Sequence, residues 1–167
     1  MMTMFTAVTS SKEVKQVSRL AREIWNEHYV PIIGQDQVTY MLARFQSEQA
    51  ITEQLTEGCQ YYLIVDGKRA VGYVGVVPQP ETAHLFISKL YVKSSCRGIG
   101  LGKETLAFIE KLCRSLQLKT LTLTVNRHNH RSIAWYQAAG FSIIGPSIQD
   151  IGAGFVMDDF RMEKQVE

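Results

Sequence analysis

Lys89-Leu90-Tyr91-Val92-Lys93-Ser94-Ser95-Cys96-Arg97-Gly98-Ile99-Gly100-Leu101-Gly102-Lys103-Glu104-Thr105-Leu106 is the stretch on which the reading of this chain turns. It opens as a strand-like run that takes in Phe86, Ile87, Leu90, Tyr91 and Val92. It then crosses a polar turn and passes three glycines at alternate positions. From Thr105 the apolar positions Ile109, Leu112 and Leu116, with Leu106 and Cys113 beside them, recur at helical spacing. Lys103, Glu110, Lys111 and Arg114 make up the polar side of that helix. The glycines therefore sit where a strand hands over to a helix N-terminus.

Such a junction has a definite chemistry. The first helical turn carries N–H groups without intrahelical partners, and the aligned peptide dipoles make that end partly positive. Bare backbone at Gly98, Gly100 and Gly102 lets a phosphate approach those groups, and Arg97 and Lys103 add formal positive charge. Two nucleotide-binding fingerprints nevertheless fail. A P-loop needs glycine five residues before its Gly-Lys pair and Ser or Thr after it; here those places hold Arg97 and Glu104. A dinucleotide fold needs G-x-G-x-x-G and an acid at the end of the next strand. This chain has G-x-G-x-G, and its next strand ends at Asn126.

What Arg97-Gly98-Ile99-Gly100-Leu101-Gly102 resembles is the acyl-CoA pyrophosphate loop of the GCN5-related N-acetyltransferase (GNAT) family, Arg/Gln-x-x-Gly-x-Gly/Ala. Leu90-Tyr91-Val92 stands where that family has an apolar triplet. A second family motif, an Asn, a short helix ending in Tyr, then Gly-Phe, is matched by Asn129 through Tyr136 to Gly140-Phe141. The resemblance implies a mixed α/β (α+β) fold: one central, mostly antiparallel sheet flanked by helices. It also implies acetyl-CoA as co-substrate, with no metal. Backbone of Leu90, Tyr91 and Val92 is then expected to pair with the pantetheine arm. The N–H groups of Gly98, Ile99, Gly100, Leu101, Gly102 and Lys103, beside Arg97, hold the pyrophosphate. Asn129 contacts the arm, and Tyr136, near the sulfur, is the general acid.

The general base is less legible. Many relatives carry a Glu in the strand before the triplet, but this chain reads His84-Leu85-Phe86-Ile87-Ser88-Lys89. Glu81, His84 or a water chain remain as candidates. For the acceptor, one wall is expected from Trp25, His28, Tyr29, Pro31 and Ile32, and another from the tail with Asp150, Asp158 and Asp159. An acidic pair there suits a cationic amine. The basic run Asn126 to Arg131 suits the adenosine phosphate or a solvated loop equally.

The rest of the 167 residues reads as a single domain, 1–167. Residues 4–8 form a short strand, and Ser10 with Glu13 forms a capping box. The helix behind it buries Val14, Val17, Ala21, Ile24, Trp25 and His28 and stops at Tyr29-Val30-Pro31. Asp36 caps a second helix (Val38, Met41, Leu42, Phe45), and Ser47 a third, through Ile51 and Leu55 to Gly58. Tyr61 to Val65 and Ala70 to Val77 form a hairpin. A strand follows at 84–92, the long helix runs to about Leu118, and Thr120 to Val125 alternates as a strand. A short helix occupies 130–139, and two strands, 141–149 and 155–164, close the chain.

Composition is that of a soluble globular protein, 46% hydrophobic and 20% charged, and a formal charge of +2 gives no reason to expect a nucleic-acid or membrane partner. Three scattered cysteines, Cys59, Cys96 and Cys113, suit reduced thiols and supply neither a zinc site nor a Cys-His pair for a covalent route. With no basic-then-apolar leader pattern, a cytoplasmic location is expected. The expected activity is acetyl transfer from acetyl-CoA to a primary amine of a small molecule, polyamine-like or amino-acid-like, by direct attack. A protein N-terminal or lysine acetyltransferase, a non-catalytic acyl-CoA sensor and a homodimeric assembly stay open.

Overall fold

A computed structural model describes residues 3–167. The chain runs β1 (Thr3–Ala7), α1 (Ser11–His28), α2 (Val30–Ile33), α3 (Gln35–Phe45), α4 (Glu48–Thr56), β2 (Gln60–Asp66) and β3 (Arg69–Gln79). It continues through β4 (His84–Val92), α5 (Leu101–Ser115), β5 (Thr120–Asn126), α6 (His130–Ala138), β6 (Ser142–Gly152) and β7 (Phe155–Gln165). The seven strands form one sheet in the order β1-β2-β3-β4-β5-β7-β6. Every neighbouring pair is antiparallel except β4 with β5.

Local sequence accounts for most of these boundaries. The capping box forms: the Ser10 hydroxyl accepts from the Glu13 N–H, and the Ser10 N–H donates to Glu13 Oε1 at 3.0 Å. Ser47 caps α4 by accepting from the Ala50 N–H at 3.1 Å. Two expectations shift. Pro31 does not end the helical path; it enters the first turn of α2, where a missing N–H costs nothing. Asp36 does not cap α3, because Gly34, at φ +86°, takes the cap and leaves Asp36 in the first turn.

Both faces of the sheet are covered. On one, α5 packs Leu106, Ile109 and Cys113 against Leu85, Ile87, Leu121 and Leu123. On the other, α1, α3 and α4 bring Val17, Ile24, Trp25, Val38 and Ile51 onto Tyr61, Leu63 and Tyr73. Among the described residues, no helix is long and apolar enough to cross a membrane.

Two irregularities shape the sheet's centre. β4 and β5 are paired only at His84↔Thr120, Leu85↔Leu121 and Phe86↔Thr122. Beyond that point they part, although β4 runs on to Val92 and β5 to Asn126. In addition, β3 pairs Val76 with Ile87 but Gly75 with Lys89, so Ser88 is bulged out of the ladder. A bulge reverses the alternation of side chains. Leu85 and Ile87 face α5, whereas after Ser88 it is Leu90 and Val92 that face that side, and Lys89 and Tyr91 turn to the α1 side.

Gly72 lies at the close approach of β3 to β4. A Cβ there would run into the Tyr91 carbonyl oxygen, a clash with backbone that no rotamer relieves. Gly72→Ala is therefore expected to destabilise the fold by roughly 1–3 kcal/mol. A clear drop in Tm checks this; an unchanged Tm would show that the two strands tolerate a wider spacing.

Candidate active site

Where β4 and β5 part, a cavity of about 1110 Å³ opens between them. Leu90, Tyr91 and Val92 line it with the edge that β5 has left unpaired. At the end of that edge the chain turns into the glycine loop. The turn is pinned to α1, by Lys93 Nζ to Glu23 Oε2 at 3.3 Å and by the Ser94 hydroxyl donating to Glu27 at 2.7 Å.

Gly98 (φ +81°) and Gly100 (φ +86°) adopt the left-handed conformation that side chains resist, and no atom within 4 Å crowds the side either would carry. Gly100 is the N-cap of α5 and supplies no side-chain acceptor, so the first-turn N–H groups of the helix remain for an anion. Arg97, Gly98, Gly100, Leu101, Gly102 and Lys103 all line the cavity. Ile99 does not; its side chain is 62% exposed. Gly102 has a different reason to be glycine: a Cβ there would lie 2.9 Å from Cζ2 of Trp135 on α6. The third glycine lets α5 and α6 close on one another.

Asn129 is buried at the N-cap of α6. Its Oδ1 accepts from the Ser132 N–H at 3.3 Å, which leaves Nδ2 to donate to His28 Nε2 at 3.0 Å. Burial, with the Arg97 and Arg131 charges behind it, holds the His28 pKa below its ordinary value. The imidazole is thus neutral, with its Nε2 lone pair engaged: His28 orients Asn129. Seven residues along, Tyr136 also lines the cavity, its ring edge-on to Phe141 at 5.3 Å. Burial, and then Tyr29, raises the Tyr136 pKa, so the phenol stays protonated and can donate. Tyr29 shares a 2.8 Å hydrogen bond with Tyr91, burial pushing its own pKa up to about 12. Trp25, 2% exposed, backs both rings at centroid distances of 5.5 and 5.6 Å.

The acidic pair divides. Successive residues of a strand point to opposite faces, and Asp159 lies opposite Asn126 with its side chain in the cavity wall and 5% exposure. Asp158 turns the other way and meets Arg127 Nε at 2.8 Å. Burial raises the Asp159 pKa to about 6, the Asp158 charge adds to this, and a hydrogen bond from Thr124 opposes it. Asp159 also raises the Tyr29 pKa, and Tyr29 that of Tyr136, so carboxyl and phenols form one neighbourhood.

Glu81 and His84 lie elsewhere. Glu81 is in the exposed turn Pro80–Thr82, and His84 pairs with Gln79 and Thr120 at the closed end of the cleft. Neither lines the cavity. Asp159 lies in the cavity wall, as expected of the tail acids, but its place beside Tyr29 was not legible in the sequence, and Lys89 had no counterpart among the expected sites. Regular alternation from Leu85 and Ile87 places Lys89 against α5, and only the bulge at Ser88 brings it into the cavity.

Residues 18–141 match the acetyltransferase (GNAT) family. The 5-NmdU N-acetyltransferase of Pseudomonas phage PaMx11 is 36% identical over 72 residues, 43% of this chain and 47% of that protein; the chain thus spans about half the length of this relative. The crystal structure of PaiA N-acetyltransferase from Thermoplasma acidophilum in complex with coenzyme A superposes with a TM-score of 0.82, at 18% identity over 99% of both chains. That of aminoglycoside 6'-acetyltransferase type Ii does so with a TM-score of 0.71, at 20% identity over 98% of this chain and 97% of that one. These structural likenesses are of fold, and the family rests on the match over residues 18–141, which takes in the glycine loop and α6. The chain belongs to the acetyltransferase (GNAT) family.

Proposed function

We propose that this protein transfers an acetyl group from acetyl-CoA to a primary amine of a small molecule by direct attack, without an acyl-enzyme. The observation that carries the reading is the parting of β4 from β5. It leaves the Leu90–Val92 edge open to a cavity and sets an uncapped helix N-terminus at the end of the same strand. An extended pantetheine arm can pair with such an edge as another strand would. The first-turn N–H groups of α5, with Arg97 and Lys103, suit a pyrophosphate. The coenzyme A complex of the structurally similar PaiA enzyme and the names of the phage and aminoglycoside enzymes support the same reading.

Acyl transfer needs a neutral amine, a polarised carbonyl and a protonated leaving group. Asp159 takes a proton from the acceptor's ammonium, and the freed lone pair attacks the thioester carbon. Main-chain N–H groups of the open β4 edge stabilise the developing oxyanion. The tetrahedral intermediate then expels the thiolate, which takes the Tyr136 proton, and the proton that the nitrogen sheds on becoming an amide returns to the phenolate. Tyr136→Phe is expected to lower kcat about 100-fold while the Kd for acetyl-CoA stays near wild type. Steady-state assay beside calorimetry checks both, and an unchanged kcat removes Tyr136 from the reaction.

The reading itself is tested by titrating acetyl-CoA into the protein and following CoA thiol release over a panel of amines and lysine peptides. Tight binding with turnover of free amines supports it. Preference for peptides moves the acceptor to proteins, and binding without any turnover leaves a sensor.

A further inference from the structure

The cavity has two ends of different chemistry. One, at the glycine loop and α6, is rich in backbone donors and arginine. The other is walled by Ile33, Met41 and Met157, with the neutral amides of Gln37, Gln54 and Gln149 beside them. Lys89 stands in this second end. The bulge at Ser88 turns it to the α1 side, and Gly75 leaves room for its stem: a Cβ on Gly75 would meet Lys89 Cγ and Tyr61 Cε1 at 3.3 Å. The stem is thereby laid across β3, and the ammonium is tied to the Ser88 hydroxyl at the cavity wall.

That ammonium is under-satisfied. It can donate three hydrogen bonds, and the Ser88 hydroxyl, at 2.7 Å, accepts one. No carboxylate among the described residues lies within 4 Å of it. Glu57 lines the same end but is exposed, and Asp159 belongs to the β7 side. Burial lowers the Lys89 pKa to about 8. A cation partly withdrawn from water and without a charged partner is stabilised when an anion joins it. Cys59 is the other ionisable neighbour, and burial pushes its thiol up to about 11, so it stays neutral.

We infer that Lys89 is a binding site for an anionic group, a carboxylate or a phosphate, carried by the acceptor amine itself. This rests on the acetyltransferase reading and narrows its substrate class to amines that bear a negative charge. The same cation disfavours polyamines.

Matched probes test it: aminovalerate beside pentylamine, and phosphoethanolamine beside ethanolamine, each with saturating acetyl-CoA. The wild type is expected to favour at least one anionic partner by about tenfold or more in kcat/KM, the scale of one charge-assisted hydrogen bond. Which pair shows it distinguishes carboxylate from phosphate. Lys89→Met, which keeps the stem, is expected to erase the preference through KM, leaving the neutral amine's constants near wild type. Lys89→Arg retains part of it, and Lys89→Met, which removes the charge that burial disfavours, melts at or above the wild-type temperature. Equal use of both partners by the wild type, no turnover of any anionic probe, or a preference that survives Lys89→Met overturns the proposal. Acetyl-CoA titration in the same proteins separates the two levels. With binding intact, such a result removes the anion site alone; with binding lost in the wild type, the acetyltransferase reading falls with it.

Discussion

Gly100→Glu is expected to weaken acetyl-CoA binding by about 100-fold or more, with the fold intact. The glycine's φ of +86° puts the new side chain in a region that costs an L-residue about 1–2 kcal/mol. No protein atom lies within 4 Å of the added Cβ, so the damage to packing is small. The effect comes from charge and place. Gly100 caps α5, where the uncapped N–H groups and the positive end of the dipole favour an anion. A glutamate there offers a tethered carboxylate to those donors and repels the phosphates that would otherwise use them. Losing two such charge-assisted bonds, at about 1.5–3 kcal/mol each, accounts for the factor. Gly100→Ala carries the strain without the charge and is expected to lose much less. Calorimetry on the three proteins, with circular dichroism for the fold, decides it. Equal affinity in wild type and Gly100→Glu would mean that the pyrophosphate is held elsewhere.

The glycine loop was legible because it depends on short-range pattern: an apolar run, alternate glycines, then helical spacing. The capping box at Ser10 and the motif from Asn129 to Phe141 were legible for the same reason. What stayed hidden depends on partners far along the chain. Nothing in His84 to Val92 says that β4 will leave β5 after Phe86, since that parting is set between strands more than thirty residues apart. Nothing local says that Ser88 will bulge either, and the facing of Lys89 follows wholly from that bulge. A general base could be sought only near the motif, which led to Glu81 and His84, while the tail acids suggested no more than a wall for the acceptor. Asp159 reaches the cavity from β7 because that strand inserts between β5 and β6, a pairing formed by the last strand of the chain. The third glycine shows the converse. Its spacing suggested a phosphate contact, and the structure, which keeps it in the cavity lining, adds a packing duty against Trp135 that the spacing did not disclose.

Asp159→Asn is the substitution with the next largest expected effect, a fall of about 100- to 1,000-fold in kcat/KM at pH 7.5. The dry wall that raises the Asp159 pKa to about 6 also disfavours a buried ammonium, so it narrows the gap a proton must cross between them. In the wild type, kcat/KM is expected to rise as pH passes through about 6, because the carboxyl must be ionised to accept the proton. That limb is lost in Asp159→Asn, whose residual rate follows the amine's own deprotonation. Stability is expected to move the opposite way. A carboxyl whose folded pKa is raised contributes most when protonated, below its ordinary 3.8, and this contribution is lost as pH climbs through about 6. The neutral amide escapes that loss. The variant should therefore match the wild type in acid and melt higher than it at pH 7 to 8, while turning over far more slowly. A structural role for Asp159 predicts lower stability and lower activity together. Melting curves and pH profiles on the same two proteins distinguish the cases, and retention of the wild-type limb near pH 6 in Asp159→Asn would assign the base to another group.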